Sequence, residues 1–480
     1  MVFNSLEYFL FLPVVWLVHH FLGQRFRWLF LLIASLIFYA SLKVPYLLGV
    51  ITLVTVATYG FGLWIHRAEQ PEQKKRLLWG GIATNVLILV AMKYVPFLTE
   101  NLNALLNLFD SPIKAPHAQL FVAIGVSYYI FQAISYLSDI YLEIEEPEPH
   151  FGYFALYLAF FPKLLQGPIE RARDLIPQLK QKYEFNYDNM RFGMLLFMWG
   201  LFQKVVLADR LGLYVDKVYD NVHSYKGLSL LFATYAYAFQ IYYDFSGYTD
   251  MALGTALLFN IKLTGNFNSP YLATSVADFW RRWHITFSRW ILDYIFKPLQ
   301  MSWRNWKNWG TATALLVTFL ISGIWHGANW GFIAWGLLHG IYMACSVFYR
   351  PYQKMIHKSL KLEKSKFIKT WQVFSTFNLV CVAWIFFRTK NFSDAYYVFI
   401  NLLNGVQKLR SGFFLSKGTL ELIILLSLFI ILIFVKYKKY KLTRIASMTT
   451  IKRWGFYVII SLAVIVFGVY TDKNFIYFDF

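Results

Sequence analysis

WGTATALLVTFLISGIWHGANWGFIAWGLLHGIYMACSVFY, residues 309–349, decides how this chain is read. An α-helix needs about 20 apolar residues to cross roughly 30 Å of hydrocarbon. The stretch therefore holds two crossings with almost no loop, and the turn His326-Gly327-Ala328-Asn329 is expected to be recessed into the bilayer. Glycine at the turn permits tight backbone geometry, and the Asn329 amide offers donors and acceptors where partners are few. An ionisable side chain at that depth is costly unless it faces a cavity, which singles out His326. An imidazole can take a proton from a hydroxyl and return it to a leaving group. The competing reading of His326 is a structural histidine bonded to a backbone carbonyl.

The rest of the chain carries the same signature. Of its 480 residues 58% are hydrophobic and 20% aromatic, with a mean hydropathy of +0.45, well above an ordinary soluble domain. A soluble fold of this length would need two or three domains, and no Ser/Gly/Pro-rich linker divides it. The reading is one integral domain over 1–480: N-terminal helices at 1–150, re-entrant segments and core at 151–349, and C-terminal helices at 350–480. The formal charge of +20 sits mostly in short loops between apolar runs, which points to membrane orientation and not to nucleic acid. Cys345 and Cys381 lie within apolar runs and provide neither a disulfide framework nor a cysteine metal site. No Lys or Arg precedes the first apolar run, so it reads as a transmembrane helix with Met1 outside, not as a cleavable leader.

Runs long enough to cross are Leu6–Leu22, Trp28–Leu42, Tyr46–Ile65, Leu77–Leu98, Leu120–Leu142, Phe192–Ala208, Leu228–Tyr243, Trp309–Trp325, Trp330–Tyr349, Trp371–Phe387, Leu420–Val435 and Phe456–Tyr470. They predict an all-α polytopic bundle of about 11–13 crossings. Alternation puts the basic loops Arg67–Arg76, Arg350–Lys369 and Lys436–Arg453 on one side, the cytoplasmic one. Phe151–Leu165 and Ser246–Trp306 mix apolar pieces with charge, and read as re-entrant or interfacial segments where a polar ligand enters.

Within the second of these, Asp278–Trp290 reads as one amphipathic helix, with Trp280, Trp283, Phe287 and Trp290 on one face and Arg281, Arg282 and Arg289 off it. Arginines there suit lipid phosphates at an interface; equally, they suit the phosphates of an anionic donor. His339 is either a polar strut between helices or a functional group. Tyr242–Asp250 reads as the end of an apolar span, whose carboxylates Asp244 and Asp250 need cationic partners or water. Asn266-Phe267-Asn268-Ser269-Pro270-Tyr271 marks a turn. Walker, Rossmann, nucleophile-elbow and HExxH patterns do not occur, so histidine leads as the reactive group.

These motifs together resemble the membrane-bound O-acyltransferase superfamily, and in particular its bacterial branch of alginate O-acetylation proteins. The resemblance runs from Met1–Pro13 through Gln166-Gly167-Pro168-Ile169-Glu170-Arg171, Tyr243–Met251, Asn266–Tyr271 and Asp278–His284 to Ser322–Gly327 and the closing Phe475–Phe480. It departs at Leu292, where the branch commonly has arginine, and at Gln300-Met301, where it has paired glycines. The resemblance implies a helical bundle around a tunnel across the membrane, with His326 as the invariant histidine and His284 as a second functional one. The residues expected to bind substrate or donor are Trp325, Asn329, Asp278, Trp280, Arg281, Arg282, Asp244, Ser246 and Gln166, with no metal. The implied activity is transfer of acetyl from cytoplasmic acetyl-CoA across the bacterial inner membrane, for O-acetylation of an exported or cell-wall polysaccharide. An extracytoplasmic SGNH-type acetyltransferase is the implied partner, beside the polysaccharide acceptor and membrane lipids. Two alternatives stand: D-alanyl transfer to teichoic acid from a carrier protein, and a polysaccharide transporter without covalent chemistry.

Overall fold

The computed structural model describes residues 1–111, 113–116, 121–404, 442, 445, 447–470 and 475–476, and all regular structure among them is helical. Helices α1 Leu6–Phe21, α2 Gln24–Ala40, α3 Tyr46–Arg67, α4 Pro71–Lys93, α5 Val95–Leu108, α6 Val126–Tyr141, α7 Phe151–Ala159 and α8 Ala172–Lys180 come first. Next, α9 Tyr187–Phe202 passes through a π-helical turn, Gln203–Ala208, into α10 Asp209–Tyr219, and α11 spans Leu228–Leu258. Short helices α12 Val276–Trp280, α13 Ile285–Ile291 and α14 Lys297–Ser302 lead to α15 Lys307–His326, α16 Trp330–Ser359, α17 Lys366–Arg388, α18 Phe392–Asn401 and α19 Thr450–Phe467. Among the described residues seven helical stretches are long and apolar enough to cross a membrane. They are Tyr46–Arg67, Pro71–Lys93, Tyr187–Tyr219, Arg304–His326, Trp330–Ser359, Lys366–Arg388 and Thr450–Phe467. Leu6–Phe21 is a shorter apolar helix. The run Leu420–Val435 lies outside the described residues.

The chain divides into two compact units, one of residues 1–197 with 248–265, the other of 198–247 with 266–479. In the first, α3, α4 and α6 approach closely because Gly62 and Gly81 face Tyr136 and Leu137, where a Cβ would stand 3.0 and 2.7 Å from side-chain atoms. Aromatic rings fill its core: Phe3 stacks on Tyr248 and meets Tyr8, each at 4.8 Å between centroids, and the Tyr8 hydroxyl bonds the Thr255 hydroxyl at 2.9 Å.

In the second unit α15 and α16 form an antiparallel pair that meets backbone to backbone. A Cβ on Gly323 would lie 2.4 Å from the Phe332 carbonyl oxygen, and one on Gly336 would lie 2.4 Å from that of Phe319. Small residues are what allow such an approach between membrane helices. The approach sets the histidine at the end of α15 against the aromatic face of α16.

Hydropathy misplaces several boundaries, each for a physical reason. The helix does not stop at Tyr242–Asp250 but continues to Leu258, because Asp244 is paired inside the protein: Lys204 donates to it at 2.7 Å. Likewise α16 does not stop at Tyr349 but runs through the basic residues to Ser359, since charge ends compatibility with lipid and leaves helical hydrogen bonding intact. Leu77–Leu98 is two helices, broken at Tyr94 with Pro96 in the first turn of the second. Asp278–Trp290 is not one amphipathic helix: α12 ends at Trp280, and His284 takes a left-handed backbone conformation, φ 42°, before α13 begins.

Candidate functional site

The break between α12 and α13 is made by the Asn266–Tyr271 turn, which satisfies the backbone groups that a continuous helix would have paired. Asn268 donates its N–H to the Arg282 carbonyl at 2.9 Å, and Ile285 donates to that of Asn266 at 3.0 Å. The Asn266 side-chain oxygen accepts from the Thr286 hydroxyl at 2.7 Å and from the Thr286 N–H at 3.2 Å. A non-glycine residue at positive φ is uncommon and needs such support. The result places His284, fully buried, with its ring 4.7 Å from Phe245 and 5.0 Å from Phe287. Burial among these rings, with a smaller contribution from nearby His326, holds the His284 imidazole well below its ordinary titration range.

His326 ends α15, and only 4% of it is exposed. Its Nδ1 lies 2.7 Å from the Ser322 carbonyl oxygen one turn earlier. A carbonyl only accepts, so Nδ1 carries the proton and Nε2 is the basic nitrogen. This geometry joins the two readings of the sequence: the backbone hydrogen bond is structural, and it fixes the tautomer a general base requires. Phe287 and Trp325 stack at 4.5 Å between centroids and touch both histidines. Trp335 and Phe387 close on the His326 ring at 4.7 and 5.4 Å.

Trp280 joins the same cluster, donating its indole N–H to His339 Nδ1 at 3.2 Å. His339 is thus a strut between α12 and α16 on one nitrogen. The other residues expected to bind substrate or donor make contacts of their own. Asp278 accepts from the Thr274 N–H at 3.1 Å and from Arg282 Nε at 3.0 Å, while Arg281 is exposed. Asn329 caps α16, accepting the Gly331 N–H at 2.7 Å and donating to the Lys390 carbonyl at 3.0 Å. Asp244 pairs with Lys204, and the Ser246 hydroxyl donates to Gln203 at 2.8 Å. Gln166 belongs to the first unit, fully buried, where its N–H donates to the Tyr248 hydroxyl at 3.3 Å.

Sequence reading missed Trp335 and Trp384. Trp335 had a signal, since it stands four residues before His339, as Gly336 stands four before Gly340, and residues at that spacing share a helix face. Trp384 had none: it reaches the cluster from α17, stacked on Trp335 at 5.9 Å. Among the described residues no group of His, Cys, Asp and Glu side chains is arranged to hold a metal.

The model of the membrane-bound O-acyltransferase family matches residues 142–387. Over 440 residues the chain is 36% identical to a peptidoglycan O-acetyltransferase of Helicobacter pylori, covering 85% of this chain and 81% of that protein. Identity is 37% over 398 residues with a probable alginate O-acetylase AlgI of Pseudomonas putida, covering 82% of this chain and 78% of the relative. A teichoic acid D-alanyltransferase of Bacillus subtilis is 28% identical over 324 residues, with 65% of this chain and 78% of the relative covered. The chain belongs to the membrane-bound O-acyltransferase family and is a multi-pass membrane O-acyltransferase.

Proposed function

We propose that the protein takes acetyl from cytoplasmic acetyl-CoA and delivers it across the bacterial inner membrane for O-acetylation of an exported or cell-wall polysaccharide, with an extracytoplasmic SGNH-type acetyltransferase as partner. The observation that carries the chemistry is the Nδ1 contact of His326 with Ser322, which leaves Nε2 basic inside a nearly closed ring cage. An acceptor hydroxyl gives its proton to Nε2 while its oxygen attacks the acyl carbonyl carbon. Collapse of the tetrahedral adduct breaks the carbon–sulfur bond, and the proton passes from the imidazolium to the departing thiolate. Exclusion of water protects the thioester from hydrolysis. His284 stays neutral in this scheme and orders the rings around the reacting centre. The choice of acetyl over D-alanyl rests on the relatives named as acetylases, which match more of this chain at higher identity than the D-alanyltransferase does.

The test is donor binding. Full-length protein in lipid nanodiscs should bind radiolabelled acetyl-CoA, and Arg281→Ala with Arg282→Ala should weaken it about 3- to 10-fold, as expected for losing charge-assisted contacts to phosphate. Capture of a D-alanyl-loaded carrier protein with no acetyl-CoA binding would replace this donor by the alternative one.

A further inference from the structure

Beside His326 the second unit buries indole and imidazole N–H groups that find no acceptor among the described residues. Trp335 and Trp384 are both fully buried, and neither indole Nε1 has a hydrogen-bond partner. His339 is fully buried too; because its Nδ1 accepts from Trp280, its proton sits on Nε2, which also has no partner. The rings that carry these nitrogens pack against one another. The Trp335 ring lies 5.1 Å from His339, 5.9 Å from Trp384 and 4.7 Å from His326.

An indole N–H can only donate, and buried Trp usually finds a partner, because leaving the group unpaired costs about 1–3 kcal/mol. Such donors gathered at the Trp335 ring, which itself packs on the candidate base, have the composition of a site for an acceptor-only oxygen. A hydroxyl would bring a proton of its own, and a carboxylate would bring an uncompensated charge into an aromatic cage at high cost. A carbonyl oxygen brings neither.

We infer that Trp335 and Trp384, with His339 Nε2, hold the carbonyl oxygen of the acyl group and stabilise the negative charge it gains when the acceptor hydroxyl attacks. This rests on the acyl-transfer reading of His326 and adds the electrophilic side of that step. The hydroxyl proton goes to His326 Nε2, the new carbon–oxygen bond forms, and the carbonyl electron pair moves onto the oxygen held by the N–H groups. It returns as the carbon–sulfur bond breaks and the thiolate is protonated. Donors fixed in a water-poor site act where charge develops, which is why such arrangements are strong.

The experiment removes the N–H and keeps the ring. Site-specific replacement of Trp335, and separately of Trp384, by 3-benzothienylalanine puts sulfur in place of the indole N–H at nearly unchanged shape. Membrane vesicles carrying the full chain are supplied with acetyl-CoA, and ester-bound acetate on envelope glycan is measured per mole of protein, with wild type and His326→Ala alongside. The expected result is a fall in kcat of about 10²-fold for the Trp335 replacement, within the range seen for loss of one oxyanion donor, and a smaller fall for Trp384. KM for acetyl-CoA should stay within about twofold, because the contact strengthens only in the transition state. Turnover within about twofold of wild type for both replacements, with His326→Ala inactive, overturns the donor assignment and leaves the acyl-transfer reading standing. A fall confined to KM also overturns it, assigning these groups to ground-state binding. Transfer that persists in His326→Ala removes the underlying reading instead.

Discussion

The second unit buries polar side chains in two places and treats them in opposite ways. Around Lys204 the protein supplies the partners itself: Nζ lies 2.7 Å from Asp244 and 2.8 Å from Asp209, with side chains no more than 8% exposed. The remaining Asp244 oxygen accepts the Ile476 N–H at 3.0 Å, and the Phe475 ring lies 4.5 Å from the ammonium. Around His326 the neighbours are rings, and Ser322 Oγ, Trp335 Nε1, Trp384 Nε1 and His339 Nε2 have no hydrogen-bond partner among the described residues. A buried ion group with its partners in place holds structure together, and breaking it is costly. Donors held ready without protein partners suit a ligand. Burial alone does not separate structure from function in this unit; the origin of each polar atom's partner does.

Two substitutions separate these roles, and the larger effect belongs to the cage. His326→Ala should abolish glycan acylation, a loss of at least about 10²- to 10⁴-fold for a general base, with membrane abundance close to wild type because it leaves the Gly323–Gly336 crossing intact. Ester-bound acetate and quantitative immunoblotting of the same membranes read both quantities. Retained acylation at normal abundance would end the assignment. Lys204→Met should do the reverse. It leaves Asp209 and Asp244 buried without their cation and costs about 3–5 kcal/mol, seen as a large loss of extractable, monodisperse protein in detergent. A well-folded Lys204→Met variant lacking activity would move the triad to the functional side of the comparison and break it.

How much of this could be read in the sequence follows the same division. His326, His284, Trp325 and Trp280 are readable because polar residues interrupt apolar runs beside Trp and Gly, and the structure brings these four into one cluster. The cationic partner of Asp244 was expected in kind but not by position, since Lys204 is 40 residues away and sits on a π-helical turn that no periodicity announces. The break at His284 was illegible in the local pattern: aromatic spacing over Asp278–Trp290 fits a helix, and only the contacts from Asn266 and Asn268 stop it. Hydropathy identified apolar segments, yet it ended α11 and α16 early because charge is a statement about solvent and not about the backbone.

The smallest expected effect sharpens the comparison most, because it probes the uneven shape of the triad. One ammonium stands between two carboxyl groups: the Asp244 side chain, 1% exposed, accepts a backbone N–H through its second oxygen, and that of Asp209 is 8% exposed. Asp209→Asn keeps an oxygen for Lys204 to bond and removes one of two mutually repelling buried groups. Against that, it adds an amide NH₂ needing an acceptor, at about 1–3 kcal/mol if none is found. The opposing effects leave a net change of about 1 kcal/mol or less, so thermal stability in detergent should move by only a few degrees. Asp244→Asn should be worse, since its new NH₂ must either face the Lys204 ammonium or turn the oxygen away from one of its two donors. Equal losses for the two variants would mean that Lys204 draws on both carboxyl groups alike, and the Ile476 contact would then contribute nothing to holding the triad.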